Sequence, residues 1–324
     1  MSGLAVLGSG AYGTALASML ASQTCPVTLW GRDVGVVEHI NTQRRNPSYL
    51  GDIPLSSHLT ATTDLDQACQ ADTVLCVTPA QTFADLLQNL HPRADNIEHL
   101  VLCAKGIDQT SGRLMHEIAT DVFQPNQVAA LSGPSFATDV ARGLPTAVSL
   151  AASNQKVAEQ LSAFLARPRF RIYATDDLTG VEIGGALKNV LALAVGIARG
   201  LELGASAEAA LIARGFAELN RVALALGARP ETLAGLSGLG DLVLTCSSPQ
   251  SRNFSYGIAL ARQEDLTSRP LAEGVHSAEM ALQTALKLAV DAPIIECVVA
   301  VLSGKILPLE AVSLLLARPL KTEN

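Results

Sequence analysis

A glycine-rich turn near the N-terminus, residues 8–13 with the sequence GSGAYG, constrains this chain more than any other feature. An apolar run leads directly into the turn, and a run of small and apolar residues follows it. In the order strand, turn and helix, this glycine spacing is typical of dinucleotide-binding units. Gly8 permits the tight turn, Gly10 lets the backbone approach a pyrophosphate, and Gly13 lets the helix pack closely on the strand. The sequence therefore predicts a dinucleotide site at this turn.

The composition excludes several classes of protein. The 324 residues are 48% apolar and 16% charged, which predicts buried cores and argues against disorder. A net charge of −7 argues against binding to nucleic acid, which needs a basic face. No stretch of about twenty residues is free of charge, so we expect no membrane span. The N-terminus enters a strand without a charged leader segment, so we expect no secretory signal.

The six cysteines and six histidines show no C-x-x-C pair and no metal-ligand spacing. Reduced thiols that act as small apolar side chains fit a cytoplasmic protein best. The histidines are scattered through mostly polar surroundings, and we expect them on the surface. The sequence thus predicts a cytoplasmic location and no metal site.

The first half of the chain alternates apolar strands with helical segments, which predicts a doubly wound sheet. Strands are expected over residues 4–7, 27–30, 59–62, 73–77, 100–103, 128–131, 146–150 and 170–173, with a polar loop over residues 46–51. After residue 177 the strand pattern stops and the chain reads as helix. The predicted fold is therefore α/β, with a Rossmann-type NAD(P)-binding domain over residues 1–177 and an all-helical substrate-binding domain over residues 178–324.

The end of the second predicted strand bears on which dinucleotide binds. NAD-specific domains of this kind usually place Asp or Glu there for the ribose 2′-hydroxyl, whereas this chain reads Trp30-Gly31-Arg32-Asp33. An arginine can pair with a 2′-phosphate, which predicts NADPH as the cofactor, with NADH also accepted. The alternative is that Arg32 is a solvated loop residue. Asp33 is expected to cap the next helix in either case.

Two further strands of the first half end in polar residues, at the edge of the sheet where ligands bind in doubly wound folds. Lys105 follows the strand over residues 100–103 and either points into the ligand crevice or is an ordinary surface lysine. Gly133-Pro134-Ser135 follows the next strand and is expected to open a helix with Ser135 as its N-cap. Backbone N–H groups there would be directed at a ligand.

The helical half contains charged residues in unusual surroundings. Lys188 lies in apolar helical sequence behind Gly184 and Gly185, and each glycine costs about 1 kcal/mol relative to alanine. This favours the interpretation that the glycines clear space for a ligand beside the ammonium group, although Lys188 could instead snorkel to solvent. Asp241 could hold that ammonium group or cap a helix. Residues 251–253, Ser-Arg-Asn, open another helix and would make a phosphate site.

These motifs, in this order, resemble the bacterial NAD(P)-dependent sn-glycerol-3-phosphate dehydrogenases over essentially the full chain. The motifs are residues 8–13, Lys105-Gly106, residues 133–137, residues 187–190, residues 238–242 with Thr245-Cys246, residues 251–253 and Glu273-Gly274. The resemblance implies reversible, NAD(P)H-dependent reduction of dihydroxyacetone phosphate to sn-glycerol 3-phosphate for glycerophospholipid biosynthesis.

The resemblance also implies roles for individual residues. Lys188 is expected to donate and accept the proton, with Lys105 and Asp241 as further catalytic residues. The expected cofactor contacts are Gly8, Gly10, Ala11, Tyr12, Gly13, Arg32, Lys105, Ala137, Arg252, Leu271 and Glu273. The expected substrate contacts are Lys105, Gly133, Ser135, Lys188, Asn189, Asp241, Thr245, Ser251, Arg252 and Asn253.

Two other functions remain open from the sequence. A β-hydroxyacid dehydrogenase-type oxidoreductase would recognise a carboxylate, whereas residues 251–253 are interpreted as a phosphate site and argue against this function. A non-catalytic NADPH-binding sensor would not need Lys188 and Asp241. Two loops depart from the family pattern, Gly204-Ala205-Ser206 in place of Gly-x-Asn and Leu50-Gly51-Asp52 in place of Leu-Pro-Gly. Apolar helices near the C-terminus are compatible with a homodimer.

Overall fold

A computed structural model describes residues 3–270 and 272–319. The strands are β1 (Leu4–Leu7), β2 (Val27–Trp30), β3 (Leu59–Thr62), β4 (Thr73–Cys76), β5 (His99–Leu102), β6 (Val128–Ser132), β7 (Thr146–Ala152) and β8 (Phe170–Thr175). Within the described residues they form one sheet of eight in the order β3-β2-β1-β4-β5-β6-β7-β8. Neighbouring strands pair in parallel except β6 and β7, which are antiparallel. The predicted α/β class is confirmed.

Helices of the first half cover both faces of this sheet. They are α1 (Ala11–Leu20), α2 (Val34–Gln43), α3 (Pro47–Leu50), α4 (Leu65–Ala68), α5 (Phe83–Leu90), α6 (Met115–Ala119), α7 (Ala137–Ala141) and α8 (Gln155–Leu165). Successive residues of β1 alternate between two apolar cores, because side chains along a strand point to opposite faces. Val6 packs in the core that contains Leu16 and Ile40, whereas Leu7 packs in the core that contains Phe83. Burial on both faces explains why the strands read as continuous apolar runs.

The regular structure described after residue 177 is helical, as predicted. It comprises α9 (Leu178–Gly200), α10 (Ala205–Ala225), α11 (Pro230–Ala234), a π-helical turn (Leu236–Gly240), α12 (Asp241–Ser247), α13 (Arg252–Ala261), α14 (Glu273–Lys287), α15 (Pro293–Leu302) and α16 (Pro308–Leu316). Helix α9 is the axis of this half, with α10, α12, α13 and α14 packed around it. It is the one described helix long and apolar enough to cross a membrane, but its apolar stretch lies entirely inside the protein. That the chain divides into domains at residue 177 stays a prediction.

Helices α9 and α13 approach each other closely because glycines lie where they cross. A Cβ atom at Gly257 would lie 2.3 Å from the carbonyl oxygen of Leu193, and one at Gly196 would lie 2.2 Å from that of Phe254. Such distances are possible only because neither residue carries a side chain. The close crossing brings the beginning of α13 beside the middle of α9.

Two predictions about the surface of the first half are wrong. His99 begins the buried strand β5 and is only 7% exposed. The ring of His116 lies 2.7 Å from Glu182 of α9, whose carboxylate also accepts the backbone N–H of His116. His99 is therefore buried because it enters the sheet, and His116 is partly buried because it joins α6 to α9. The loop over residues 46–51 contains the short helix α3.

Candidate active site

The glycine-rich turn lies at the carboxyl end of β1, where the order of strands reverses between β1 and β4. Ligands bind at such switch points in doubly wound sheets. Gly8 has a φ of 121°. A Cβ atom on Gly13 would lie 1.9 Å from the carbonyl oxygen of Gly8. Around Gly10, by contrast, no described atom outside its own stretch of chain lies within 4 Å of the place that a Cβ would take. The turn is packed tightly against the protein and open at Gly10, which fits the pyrophosphate of a dinucleotide.

The beginning of α1 offers hydrogen-bond donors to that open side. Among the described residues, no group accepts a hydrogen bond from the backbone N–H of Gly10, Ala11 or Tyr12. Free N–H groups at a helix N-terminus, together with the helix dipole, favour an anion. Residues 10–12 can therefore hold phosphate oxygens.

A hydrogen-bonded chain joins this turn to the loop after β6. The hydroxyls of Tyr12 and Ser135 lie 2.9 Å apart, and Ser135 donates to the carbonyl of Gly133 at 3.0 Å. Burial raises the pKa of Tyr12 to about 12, so its hydroxyl stays protonated. The predicted N-cap role of Ser135 is wrong, because α7 begins after Phe136 and has no side-chain cap. The hydroxyl of Ser135 is engaged in this chain instead.

The other predicted cofactor residues lie at the ends of strands and helices. Arg32 follows β2 and is exposed, while Asp33 caps α2 by accepting the N–H of Val36 at 3.1 Å, as predicted. Ala137 begins α7, which packs against α1. Glu273 begins α14 and is half-buried. Leu271 lies outside the described residues.

Three charged side chains that are far apart in sequence meet beside the carboxyl edge of the sheet. The Nζ of Lys188, from the middle of α9, lies 2.6 Å from Oδ1 of Asp241. The Nζ of Lys105, after β5, lies 2.8 Å from Oδ2 of the same carboxylate. Lys188 and Asp241 are only 6% and 1% exposed. One buried carboxylate between two ammonium groups leaves this Lys105–Asp241–Lys188 cluster with a net positive charge.

Each ammonium group of the cluster keeps capacity for a ligand. Lys188 also donates to the hydroxyl of Thr245 at 2.7 Å, and Lys105 donates to the carbonyl of Gly133 at 3.3 Å. An ammonium group has three N–H donors, and two oxygens of described residues contact each of these nitrogens. One N–H of each lysine is therefore free for an oxygen of a substrate.

The electrostatic environment shifts the pKa values of the two lysines in opposite directions. Burial and the neighbouring charge of Lys105 lower the pKa of Lys188 to about 8, against the opposing effect of Asp241. For Lys105, burial again acts downward, but the negative charges of Asp241 and Glu273 outweigh it and raise the pKa above its usual value. Burial would raise the pKa of Asp241, but the two lysines hold it below the usual range. Lys188 is thus suited to exchange a proton near neutral pH, while Lys105 stays charged.

The glycine pair before Lys188 makes room for protein, and the interpretation that it clears space for a ligand is wrong. A Cβ atom at Gly184 would lie 2.8 Å from the carbonyl oxygen of Ser237. One at Gly185 would lie 3.3 Å from the side chain of Lys105 and 2.9 Å from the hydroxyl of Ser132. The pair lets α9 pack against the π-helical turn before Asp241 and against Lys105. The glycines therefore assemble the cluster.

The residues predicted to bind phosphate lie at the beginning of α13, near Lys188. Ser251 caps this helix by accepting the N–H of Phe254 at 3.3 Å. Asn253 donates to the side chain of Asn189 at 2.9 Å and accepts the N–H of Gly274 at 2.8 Å, which joins α9, α13 and α14. Both side chains thus also have structural partners that the sequence did not reveal.

Arg252, between them, is exposed, and neither it nor Arg32 has a hydrogen-bond or ion-pair partner in the described part of the chain. Both guanidinium groups are therefore available to an anionic ligand.

One polar residue of the crevice, Ser132, was not predicted from the sequence. Ser132 ends β6 and is 4% exposed, and its hydroxyl has no partner among the described residues. Its position beside Lys105 and Gly185 places it in the same crevice. A serine closing a buried apolar strand directly before Gly133 was the available signal.

Comparison with known proteins agrees with this geometry. Residues 3–158 match the family described as NAD-dependent glycerol-3-phosphate dehydrogenase N-terminus, and residues 177–313 match the corresponding C-terminus family. The chain is 56% identical over 322 residues to a glycerol-3-phosphate dehydrogenase (NAD(P)+) of Brucella ovis, covering 99% of each chain. A protein of the same name from Mesorhizobium japonicum is 52% identical over 320 residues, which cover 98% of this chain and 93% of that protein.

A solved structure shows the same architecture. The crystal structure of glycerol-3-phosphate dehydrogenase from Coxiella burnetii matches with a TM-score of 0.91 at 38% identity, covering 97% of this chain and 98% of that chain. Family matches over both halves and a relative of 56% identity over nearly the full length lead to one conclusion. This chain belongs to the family of NAD-dependent glycerol-3-phosphate dehydrogenases.

Proposed function

We propose that this chain uses NAD(P)H to reduce dihydroxyacetone phosphate to sn-glycerol 3-phosphate, reversibly, for glycerophospholipid biosynthesis. The names of its curated relatives support this reaction. In the structure, the observation that carries it is the buried Lys105–Asp241–Lys188 cluster, which the Tyr12–Ser135–Gly133 chain links to the glycine-rich turn. A non-catalytic NADPH-binding sensor would not need a buried lysine such as Lys188, whose pKa lies near 8.

The cofactor would be held by the residues at the carboxyl edge of the sheet. The N–H groups of residues 10–12 suit its pyrophosphate, and the exposed guanidinium of Arg32 suits a 2′-phosphate. Bound NAD(P)H supplies the hydride that a ketone carbon needs in order to become an alcohol carbon.

Lys188 would supply the proton that completes the reduction. Its Nζ donates to the oxygen of the reacting carbonyl, and in the reverse direction the neutral amine takes the proton from the alcohol. Asp241 and Thr245 hold the ammonium group in place. Lys105 adds a fixed positive charge that stabilises negative charge developing on the oxygen.

The phosphate of the substrate would lie at the beginning of α13. Arg252 offers a free guanidinium group there, beside Ser251 and Asn253, and guanidinium groups pair well with phosphate. The positive charge of the cluster adds to this preference for an anionic substrate. Binding energy from the phosphate positions the reacting carbon.

The test is an assay of NADPH oxidation with dihydroxyacetone phosphate, with NADH in parallel. We expect loss of NADPH absorbance that requires the phosphorylated ketone and forms sn-glycerol 3-phosphate. Unphosphorylated dihydroxyacetone is the matched control and should react far more slowly. No turnover with the phosphate ester, in protein shown to bind NADPH, would contradict the function.

We also propose that residues 1–177 bind the cofactor and residues 178–324 the substrate, in a cytoplasmic homodimer. Exposed leucines on α16 support an apolar contact between copies, since Leu309, Leu314 and Leu316 are 62%, 54% and 81% exposed. Light scattering on the purified chain measures the oligomeric state. A monomer at assay concentration would contradict the dimer.

A further inference from the structure

Asn46 is a buried polar residue outside the site described above. It immediately precedes α3 and has no solvent exposure, although it lies in a loop that reads as polar from the sequence. Its Nδ2 donates to the carbonyl oxygen of Ser9 at 3.0 Å and to the hydroxyl of Thr14 at 2.8 Å. Thr14 in turn donates to the same Ser9 carbonyl at 3.1 Å. Two side chains thus converge on one backbone oxygen of the glycine-rich turn.

The other side of Ser9 is also held. A Cβ atom at Gly31 would lie 2.1 Å from the hydroxyl oxygen of Ser9, so the Ser9 side chain packs directly against the end of β2. Ser9 is therefore fixed at its carbonyl by Asn46 and Thr14 and at its side chain by Gly31.

The carbonyl of Ser9 and the N–H of Gly10 belong to one peptide unit. That unit is planar and trans, since the described residues contain no cis peptide bond, so its N–H points away from its C=O. Fixing the carbonyl therefore fixes the direction of the Gly10 N–H. This N–H has no partner among the described residues, and the space around Gly10 is open.

Burying Asn46 costs free energy, and this cost suggests that the hydrogen bonds of its amide nitrogen have a specific role. Its Oδ1 atom is buried without a partner among the described residues, and an unpaired buried oxygen is unfavourable. The orientation of the amide is settled by Ser9, whose carbonyl can only accept. An apolar residue would fill this position without an unpaired oxygen.

We propose that Asn46 is a positioning residue for the cofactor, because its hold on the Ser9 carbonyl aims the Gly10 N–H at the pyrophosphate. The inference rests on the proposed function only in taking NAD(P)H as the ligand. Asn46 does not touch the reacting atoms, so it acts on cofactor affinity and not on chemistry.

The test compares Asn46→Ala with Asn41→Ala. Asn41 lies in α2 and makes two hydrogen bonds to the backbone of Ala61, at 2.9 and 2.8 Å, away from the glycine-rich turn. The same substitution thus removes two side-chain hydrogen bonds in each variant, and we expect similar losses of thermal stability. NADPH binding is measured by the change in its fluorescence, and turnover is measured at saturating NADPH.

Asn46→Ala is expected to raise the Kd and KM for NADPH by about tenfold, as loss of an aligned hydrogen bond to a charged group does. Its kcat and its KM for dihydroxyacetone phosphate should stay near wild type. Asn41→Ala should leave NADPH affinity within about twofold of wild type. The isosteric Thr14→Val, which removes the second donor to Ser9, should weaken NADPH binding in the same direction, so the inference can be tested even if Asn46→Ala does not fold.

Wild-type NADPH affinity in Asn46→Ala, or an equal loss of affinity in Asn41→Ala, would overturn the inference. A wild-type chain that binds NADPH without reducing dihydroxyacetone phosphate would instead overturn the proposed function, and the comparison of affinities would still decide the role of Asn46.

Discussion

Lys188 shows how a single residue acquires a chemical role from its surroundings. Replacing it by alanine removes the proposed proton donor but leaves the glycine-rich turn intact. We expect kcat to fall by about a hundredfold to ten-thousandfold, the usual contribution of general acid catalysis, while NADPH affinity stays near wild type. Steady-state kinetics and NADPH fluorescence measure the two quantities. Lys305→Ala, at an exposed lysine, is the control and should change neither.

The pKa of Lys188 predicts a direction for the pH dependence of each half-reaction. Ketone reduction needs the protonated ammonium group, so its kcat should fall as pH rises through about 8. Oxidation of sn-glycerol 3-phosphate needs the neutral amine, so its kcat should rise over the same range. Profiles of kcat in both directions test this. Two profiles that both fall with rising pH would exclude Lys188 as the titrating group.

Asp241→Asn removes the negative charge between the two lysines. Without that charge the pKa of Lys188 should drop further, so the fall in the reduction rate should move to lower pH. Loss of one partner from a buried ion pair usually costs about 3–5 kcal/mol, so the free energy of unfolding should also decrease. The pH profile separates these effects, because a purely structural lesion would lower kcat without moving the profile.

At the scale of the elements, the crossing of α9 and α13 determines where the beginning of α13 lies. Gly257→Ala would place a Cβ 2.3 Å from a backbone oxygen that cannot move without shifting α9. We expect a loss of about 1–3 kcal/mol in the free energy of unfolding, as for other overpacked sites, and a higher KM for dihydroxyacetone phosphate. Chemical denaturation and kinetics measure both.

Gly35→Ala is the matched control for that substitution. Gly35 lies in the exposed part of α2, and a Cβ there would meet only the side chain of Asp33, at 3.3 Å. Alanine is the better helix former by about 1 kcal/mol, which offsets a small shift of the capping Asp33 side chain, so this variant should lose far less stability than Gly257→Ala. Equal destabilisation of both variants would contradict the packing argument.

Most elements were predictable because their signals are local. Apolar runs predicted the strands, and the capping role of Asp33 followed from its place before a helix. The purpose of Gly184 and Gly185 was not predictable, because the atoms they admit belong to Ser237 and Lys105, which are distant in sequence. Ser135 was predicted as a cap, but a distant partner, Tyr12, determines its hydrogen bonds. Local signals therefore establish where elements lie, and tertiary contacts decide what their polar residues do.

At the scale of the whole molecule, the contact of Asp241 with Lys188 was predictable, but the contact of Asp241 with Lys105 was not. The resemblance to the family named Lys105, Lys188 and Asp241, but Lys105 and Asp241 are 136 residues apart, and no spacing in the sequence predicts their contact. Nothing in the sequence predicted a role for Asn46, because an asparagine before a proline is common in turns. Its buried contacts arise only when the chain is folded.

Glu218 should make the stability of the whole chain depend on pH. This residue of α10 is 2% exposed, and its carboxylate accepts the N–H groups of Ile294 and Ile295 at the beginning of α15. Burial outweighs these hydrogen bonds and raises its pKa from 4.5 to about 7. Between these values the folded chain keeps a proton that the unfolded chain releases. The stabilisation is present below pH 4.5 and is lost as pH rises through about 7.

Glu218→Gln tests this linkage, because glutamine is neutral at every pH and still accepts hydrogen bonds. The free energy of unfolding of wild type, relative to that of the variant, should decrease as pH rises through about 7. Chemical denaturation at a series of pH values measures it. A constant difference between the two proteins would contradict the raised pKa.

The contact between His116 and Glu182 has a consequence for local opening of the native state. Glu182 precedes Lys188 by about two turns of α9, so the helix that carries this lysine, the proposed proton donor, is also bound to α6 beside the sheet. A buried helix that is anchored in this way opens only when most of the molecule does. Amide hydrogens in the middle of α9 should exchange with solvent as slowly as global unfolding allows. The place of Lys188 relative to α6 is therefore kept in every partly open state in which α9 stays folded and the Glu182–His116 contact holds.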